Sequence, residues 1–325
     1  MVSKKVLVTG CAGFIGSNLC EFLLKKGYFV VGIDNFNNYY SPKVKEFNIN
    51  SFLHNPNFTL YKNSICDKQA LKNIFKKELP NFVVHLAAWA GVTYSVKNPD
   101  IYIDVNVQGT NYLAQLSSKY NVKSFIFASS SSVYGGSKPP FKESADTSYP
   151  NSPYPASKKA AEVLLYTYSL NFKLPVTIFR FFNPLGPKLR PDMALPKLFR
   201  GVLYNQPFYL YQDPSSSSRD YTYIEDMLFA IEQVIKTPFT YEIFNLGNSN
   251  PVSLFDLINL VKKITNKPLQ LKNNYLPGQM KQTFADITKA NKKIGYMPKI
   301  SIEQMVSIYY EWFLNQPDWY KRGDF

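Results

Sequence analysis

Val6-Leu7-Val8-Thr9-Gly10-Cys11-Ala12-Gly13-Phe14-Ile15-Gly16 decides how the rest of the chain is read. Lys5 to Thr9 is an apolar, β-branched run that reads as a buried strand. From Phe14 to Lys26 the apolar residues Ile15, Leu19, Phe22 and Leu23 fall on one helical face, and Gly27 suits a C-terminal stop. Each glycine between them has a mechanical task. Gly10 permits a tight turn, Gly13 lets backbone N–H groups approach a pyrophosphate, and Gly16 lets the helix lie close to the sheet. Phe29 to Asp34 reads as the second strand, and Asp34 follows Gly16 by 18 residues, near the roughly 20 at which a carboxylate meets a ribose diol. An anion there repels a 2′-phosphate, which favours NAD over NADP.

The alternation continues outward. Strands are expected at Phe58 to Tyr61, Phe82 to Ala87, Val122 to Ser129 and Pro175 to Phe182. Helices are expected at Lys68 to Lys77, Pro99 to Lys119 and Pro153 to Asn171. Strands separated by helices predict an α/β fold: a doubly wound parallel sheet (Rossmann fold), covered on both faces and joined by right-handed crossovers. After about residue 183 prolines become frequent and short helices alternate with isolated strands such as Tyr241 to Asn245. The expected division is therefore a dinucleotide-binding domain over 1–182 and a smaller α/β substrate-binding lobe over 183–325, with some chain crossing back to the sheet.

Composition narrows the class. The 325 residues are 45% hydrophobic and 18% charged, a globular balance. No run approaches the roughly 18 uncharged apolar residues of a membrane span, and Val6-Leu7-Val8 is too short for a signal-peptide core, so neither membrane insertion nor secretion is expected. Three cysteines (Cys11, Cys20, Cys66) cannot all pair, and two histidines without ligand spacing offer no metal site, so a reducing cytoplasm is expected and no metal. The net charge of +14 is carried mostly by scattered lysines rather than arginine-rich runs, which argues for a solvated surface and an anion-attracting cleft, and against nucleic acid.

Tyr154-Pro155-Ala156-Ser157-Lys158 places a phenol and an ammonium four residues apart, on one helical face. A cation there can draw a phenol toward useful base strength. Spacing alone is weak: 24 tyrosines and 32 lysines give about two such pairs by chance, and Tyr39 with Lys43 is a decoy. Context favours Tyr154. Ser152 can cap the helix, Pro153 suits its first turn, and the strand before Ser129-Ser130-Ser131-Ser132 ends where ligands bind in such sheets. A serine hydroxyl at that edge can share a hydrogen bond with Tyr154 and substrate.

The glycine loop, Asp34, His85-Leu86-Ala87-Ala88, the serine run, Tyr154 with Lys158, and Arg180-Phe181-Phe182-Asn183-Pro184 together resemble the extended short-chain dehydrogenase/reductase family. The resemblance spans nearly the whole chain and is strongest to its nucleotide-sugar 4-epimerases. It implies bound NAD, with Ser130 as catalytic hydroxyl, Tyr154 as proton acceptor, and Lys158 also on the nicotinamide ribose. Asn106 would support the cofactor side. Phe14, Ile15, Asn35, Ser64 and Ile65 would line the adenosine end, and Ala87, Ala88 and Phe181 the nicotinamide end.

The same resemblance implies a UDP-sugar held by Asn183 and Arg219, with Gln279 near its ribose, and an apolar face of Pro99–Lys119 and Pro153–Asn171 buried in a homodimer. Arg190-Pro191-Asp192-Met193-Ala194 and Asp34-Asn35-Phe36-Asn37-Asn38-Tyr39-Tyr40 resemble segments of UDP-glucuronate 4-epimerases. Arg190 with Ser131 and Ser132 would then cradle a sugar carboxylate. Ser64, Thr93 and Gln279 depart from the epimerase pattern, where an aspartate, an arginine and an aspartate are usual. The segment matching Ser131-Ser132 holds hydroxyls where dehydratases and decarboxylases carry an acid. The expected reaction is NAD-dependent C4 epimerisation of UDP-glucuronate to UDP-galacturonate. The alternatives are a UDP-glucose or UDP-N-acetylglucosamine 4-epimerase, and a non-catalytic dinucleotide-binding sensor.

Overall fold

A computed structural model describes residues 4–274 and 281–325. Seven strands form one parallel sheet: β1 (Lys5–Thr9), β2 (Phe29–Ile33), β3 (Phe58–Tyr61), β4 (Phe82–His85), β5 (Ser124–Ser130), β6 (Val176–Phe181) and β7 (Tyr241–Leu246). Their spatial order is β7-β6-β5-β4-β1-β2-β3. The chain therefore reverses direction across the sheet between β1 and β4, and a crevice opens where their carboxyl ends diverge. This is the Rossmann arrangement that the alternating pattern predicts. Segment 183–325 contributes β7, paired in register with β6 from Tyr241 opposite Val176 to Leu246 opposite Phe181.

Helices α1 (Phe14–Lys25), α2 (Pro42–Ile49), α3 (Lys68–Glu78), α4 (Thr110–Lys119) and α5 (Pro153–Phe172) cover the sheet. Two apolar layers result: Val6, Val8, Leu19 and Leu23 pack on one face, and Leu7, Val83, Leu113 and Leu165 on the other. Three sequence expectations need correction. The continuous helix over 99–119 is interrupted, because Ile103–Gly109 is a π-helical segment between a short turn at Pro99–Tyr102 and α4. Its wide turn carries Asn106 inward to hydrogen-bond with Trp89 and Ser157, a use typical of π-bulges. Ser152 occupies the N-cap of α5 but forms no cap bond, and its buried Oγ has no partner. Helix α2 was not expected, although Ser41-Pro42 is a fair start signal.

Helix α5 is fastened to the sheet by Glu162. Its buried carboxylate accepts from Arg180 Nε at 3.0 Å and Nη2 at 2.7 Å, and from Ser129 Oγ at 2.6 Å. Burial works against the Arg180 charge, but the Glu162 hydrogen bonds and charge more than offset it. Arg180 is thus neither a surface charge nor a ligand for diphosphate. Beyond β6, Asp220 accepts backbone N–H groups of Asn248, Ser249 and Ala285 at 2.8, 3.1 and 2.9 Å, tying the end of β7 to the strand Ser218–Asp220. All three cysteines are free. Among the described residues no helix is long and apolar enough to cross a membrane.

Replacing Glu162 with alanine leaves Arg180 buried without its partner. The expected loss of unfolding free energy is about 3–5 kcal/mol, read by urea denaturation. A loss under about 1 kcal/mol would show that the pair does not anchor the helix.

Candidate active site

Gly10 turns the chain out of β1 with φ +70°, and its N–H donates to Ile33 O at 2.7 Å. A side chain at Gly16 is impossible, since its Cβ would lie 2.0 Å from Gly10 O. The turn, the close helix approach and the free N-terminus of α1 together form an anion cradle. Asp34, just past β2, faces the same crevice and accepts from Ala12 N at 3.0 Å and Phe36 N at 2.8 Å. Both carboxylate oxygens keep a lone pair for a diol.

One cleft runs from this cradle across the ends of β1, β4, β5 and β6. Gly10, Gly13, Phe14, Ile15, Gly16, Asp34, Asn35, Ser64 and Ile65 line its nucleotide end. Ala87, Ala88, Ser130, Ser131, Tyr154, Lys158, Phe181, Asn183 and Arg190 line the other. Three sequence-predicted residues stand elsewhere, and a fourth lies outside the described residues. Asn106 lies behind the wall, with its side chain bonded to Trp89 N, Trp89 O and Ser157 Oγ, all at 2.9 Å. Ser132 sits behind Ser130 rather than in the cradle. Arg219 lies outside the lining, donating to the Ser218 and Lys281 carbonyls. Gln279 falls outside the described residues. The sequence reading gave Tyr39 no site role, quoting it only within the Asp34–Tyr40 segment and as a decoy pair with Lys43, yet it lines the cleft. Lys43 instead stacks on Trp319, 4.1 Å from its centroid.

A chain of hydrogen bonds fixes the two halves of the crevice to each other. Thr9 Oγ1 accepts from Leu86 N and Ala87 N, both at 3.2 Å, so its own hydrogen goes to His85 Nδ1 at 2.7 Å. His85 then carries its proton on Nε2 and donates to Thr110 Oγ1 at 2.9 Å, and Thr110 donates to Asn106 O at 2.6 Å. Burial, aided by the Lys158 charge, holds His85 well below its ordinary value, which keeps the ring neutral as this pattern requires. Asn106 passes the link to Ser157, whose hydroxyl donates to Tyr154 O at 2.8 Å.

At the reacting end, Ser130 Oγ accepts from Ser132 N at 3.2 Å and from Ser132 Oγ at 2.9 Å. With those lone pairs engaged, its hydrogen is left to turn toward the Tyr154 phenol, which lines the same cleft. Burial pushes the phenol above its ordinary value, while the Ser130 hydrogen bond and the Arg190 cation pull it down. The expected lysine–phenol pairing is not formed: Lys158 Nζ donates to Ala128 O at 2.8 Å and lies 4.8 Å over the Phe127 ring. Burial lowers Lys158 to about 7, against the opposing pull of Glu162. Among the described residues lining the cleft, Asp34 is the one carboxylate, and it lies at the nucleotide end. Among the described residues no acid lines the sugar end to drive elimination.

The fold and this constellation are those of an extended short-chain dehydrogenase/reductase. The chain belongs to the family whose model is described as GDP-mannose 4,6 dehydratase, matched over residues 7–309. It is 40% identical over 300 residues to a UDP-glucuronate 4-epimerase from Thermodesulfobacterium geofontis, covering 92% of each chain. It superposes with TM-score 0.88 and 34% identity on the UDP-glucuronic acid 4-epimerase of Bacillus cereus in complex with UDP-glucuronic acid and NAD, covering 95% of this chain and 98% of that one. The UDP-N-acetylglucosamine 4-epimerase of Methanobrevibacter ruminantium, in complex with UDP-N-acetylmuramic acid, also gives TM-score 0.88, at 29% identity over 98% of this chain and all of that one.

The buried amine makes a prediction about pH. Above about pH 7 the unfolded chain keeps a proton on Lys158 that the folded chain, stripped of cofactor, has lost. Stability relative to Lys158→Met should therefore rise by about 1 kcal/mol per pH unit from about pH 7 to pH 9, and fall as pH is lowered again. Paired urea melts across that range measure the difference; a flat difference would place the amine in water.

Proposed function

We propose that this chain is an NAD-dependent UDP-sugar 4-epimerase and that its substrate is UDP-glucuronate, converted to UDP-galacturonate. Family membership and the cleft support the reaction class. General shape does not choose the sugar, since the glucuronate and N-acetylglucosamine epimerases superpose equally well. The observation that carries the choice is Arg190, which lines the same cleft as Tyr154 and is near enough to act on its phenol. An arginine facing the sugar end has little to bind on a neutral hexose and a natural partner in a carboxylate.

The glycine cradle and Asp34 fit NAD: the first leaves room for a pyrophosphate and the second offers acceptors to a diol. When bound, NAD supplies a hydride acceptor that later returns the hydride, so the reaction has no net redox change. Tyr154 takes the C4 hydroxyl proton as the C4–H bond gives up its hydride, leaving a 4-keto sugar. Ser130, donating to the phenol oxygen, would steady the phenolate form that accepts this proton. The sugar would then turn about its diphosphate to present its opposite face, and Tyr154 would return the proton to the C4 oxygen. A 4-keto uronate is a β-keto acid, so a carboxylate held by Arg190 and Ser131 is also kept from aligning its C–C bond with the carbonyl.

Two copies are proposed to pair through α5. Val163, Tyr166 and Leu170 recur at helical spacing, with Val163 52% and Leu170 55% exposed. A reducing cytoplasm suits the free thiols.

Incubation with UDP-glucuronate, UDP-glucose and UDP-N-acetylglucosamine separately, with products identified by NMR, should give UDP-galacturonate as the favoured product. A preference for either neutral sugar would overturn the assignment. Tyr154→Phe should cut kcat by at least about a hundredfold while NAD stays bound, the scale of a lost general base. Leu170→Glu should convert dimer to monomer in light scattering; an unchanged mass in both proteins would place the interface elsewhere.

A further inference from the structure

We infer that Tyr39 is a specificity-determining residue that completes the carboxylate site around Arg190, donating its phenolic hydrogen to the sugar carboxylate. The inference rests on the uronate reading above. It starts from a gap in the expected cradle: Ser132 donates its hydroxyl to Ser130 and does not line the cleft, so Arg190 and Ser131 lack a third donor. Tyr39 lines the cleft beside them. Its ring stands against the Arg190 guanidinium, 5.0 Å from Cζ to centroid. A guanidinium only donates, so it offers the phenol hydrogen no acceptor, and that hydrogen is left for a ligand.

The phenol is held in place. Trp89 and Tyr94 meet the Tyr39 ring edge-on at 5.2 and 5.7 Å, and the Trp89 backbone is clamped by Asn106. Gly91 is required for the fit: a Cβ there would come within 2.5 Å of the Tyr39 hydroxyl. Asp192 fixes the guanidinium from another side, accepting from Nε at 3.1 Å and Nη2 at 2.9 Å. That pair is electrically neutral before substrate arrives, so Arg190 alone offers a uronate less net attraction than a free cation would. A rigid neutral donor adds affinity for a carboxylate without a further charge. A C6 hydroxyl, with weaker acceptor strength, gains much less from it.

The test uses the NAD-loaded enzyme and compares wild type with Tyr39→Phe and Tyr39→Leu. Tyr39→Phe keeps the ring on Arg190 and removes only the hydroxyl. KM for UDP-glucuronate should rise about tenfold, the scale of one hydrogen bond to a charged group, with kcat changed less than about twofold. For UDP-glucose, KM (or its inhibition constant against UDP-glucuronate where turnover is too slow) should stay within about twofold. Tyr39→Leu, which also frees the guanidinium, should erode the preference further. Equal losses for both sugars, or a preference identical to wild type, would overturn the inference, and bound NAD read by absorbance confirms that each variant is folded. A wild type without any preference for UDP-glucuronate would instead refute the uronate reading itself.

Discussion

Where the catalytic helix lies is set by one buried carboxylate. Glu162 takes three hydrogen bonds from β5 and β6, and it sits one helical turn after Lys158 and two after Tyr154. Sliding α5 by a residue would rotate both side chains out of the cleft and strand the Arg180 charge in the core. Such a charge has no cheaper solution than its present partner. The same carboxylate favours the charged form of Lys158 against burial, so position and charge of the amine share one source. Hydrophobic packing holds α5 on the sheet. The ion pair chooses its register.

A second constraint is polar and neutral. The Thr9–His85–Thr110–Asn106 series crosses the switch point of the sheet and reaches Ser157 under Tyr154. Every donor in it has one acceptor, which in a dry interior is the condition for such a network to rigidify rather than destabilise. It explains the π-helical turn: an α-helical path from Pro99 would not bring both the carbonyl and the side chain of Asn106 to their partners. The nucleotide shelf after β4 and the proton-transferring helix are thereby parts of one frame, although 69 residues separate His85 from Tyr154.

Much of this was readable before any coordinates. The strand-glycine-helix start, Asp34 and the alternating pattern carry the sheet, because their cause is local: backbone sterics and two periodicities. Tyr154, Ser130 and Arg190 were found because each stands in a segment with its own signal. What escaped depends on contacts distant in sequence. Nothing near Ser132 reveals that its hydroxyl faces Ser130, since alternate pointing along a tight turn is a matter of fold. The role of Arg180 could not be read because its partner Glu162 lies on another element. Tyr39 met the four-residue spacing with Lys43 only by accident, since it sits in the loop before α2, where spacing carries no information. The π-helical turn is likewise invisible, as its sequence serves an ordinary helix equally well.

Arg190 brings recognition and chemistry into one electrostatic field. In the empty site it is one of two groups that lower the Tyr154 phenol, the other being Ser130. A carboxylate seated on the guanidinium cancels part of that positive field, so a uronate makes the phenolate that must deprotonate it harder to form. Compensation has to come from groups that keep their hydrogens aimed at the phenol whatever the substrate charge. Ser130 is such a group: its lone pairs are filled by Ser132, and its O–H has no alternative direction. The serine run is therefore best understood as two layers. Its front residue holds the base, and its rear residue holds the front one, which lets a single cleft accept an anion beside the group that must itself become one.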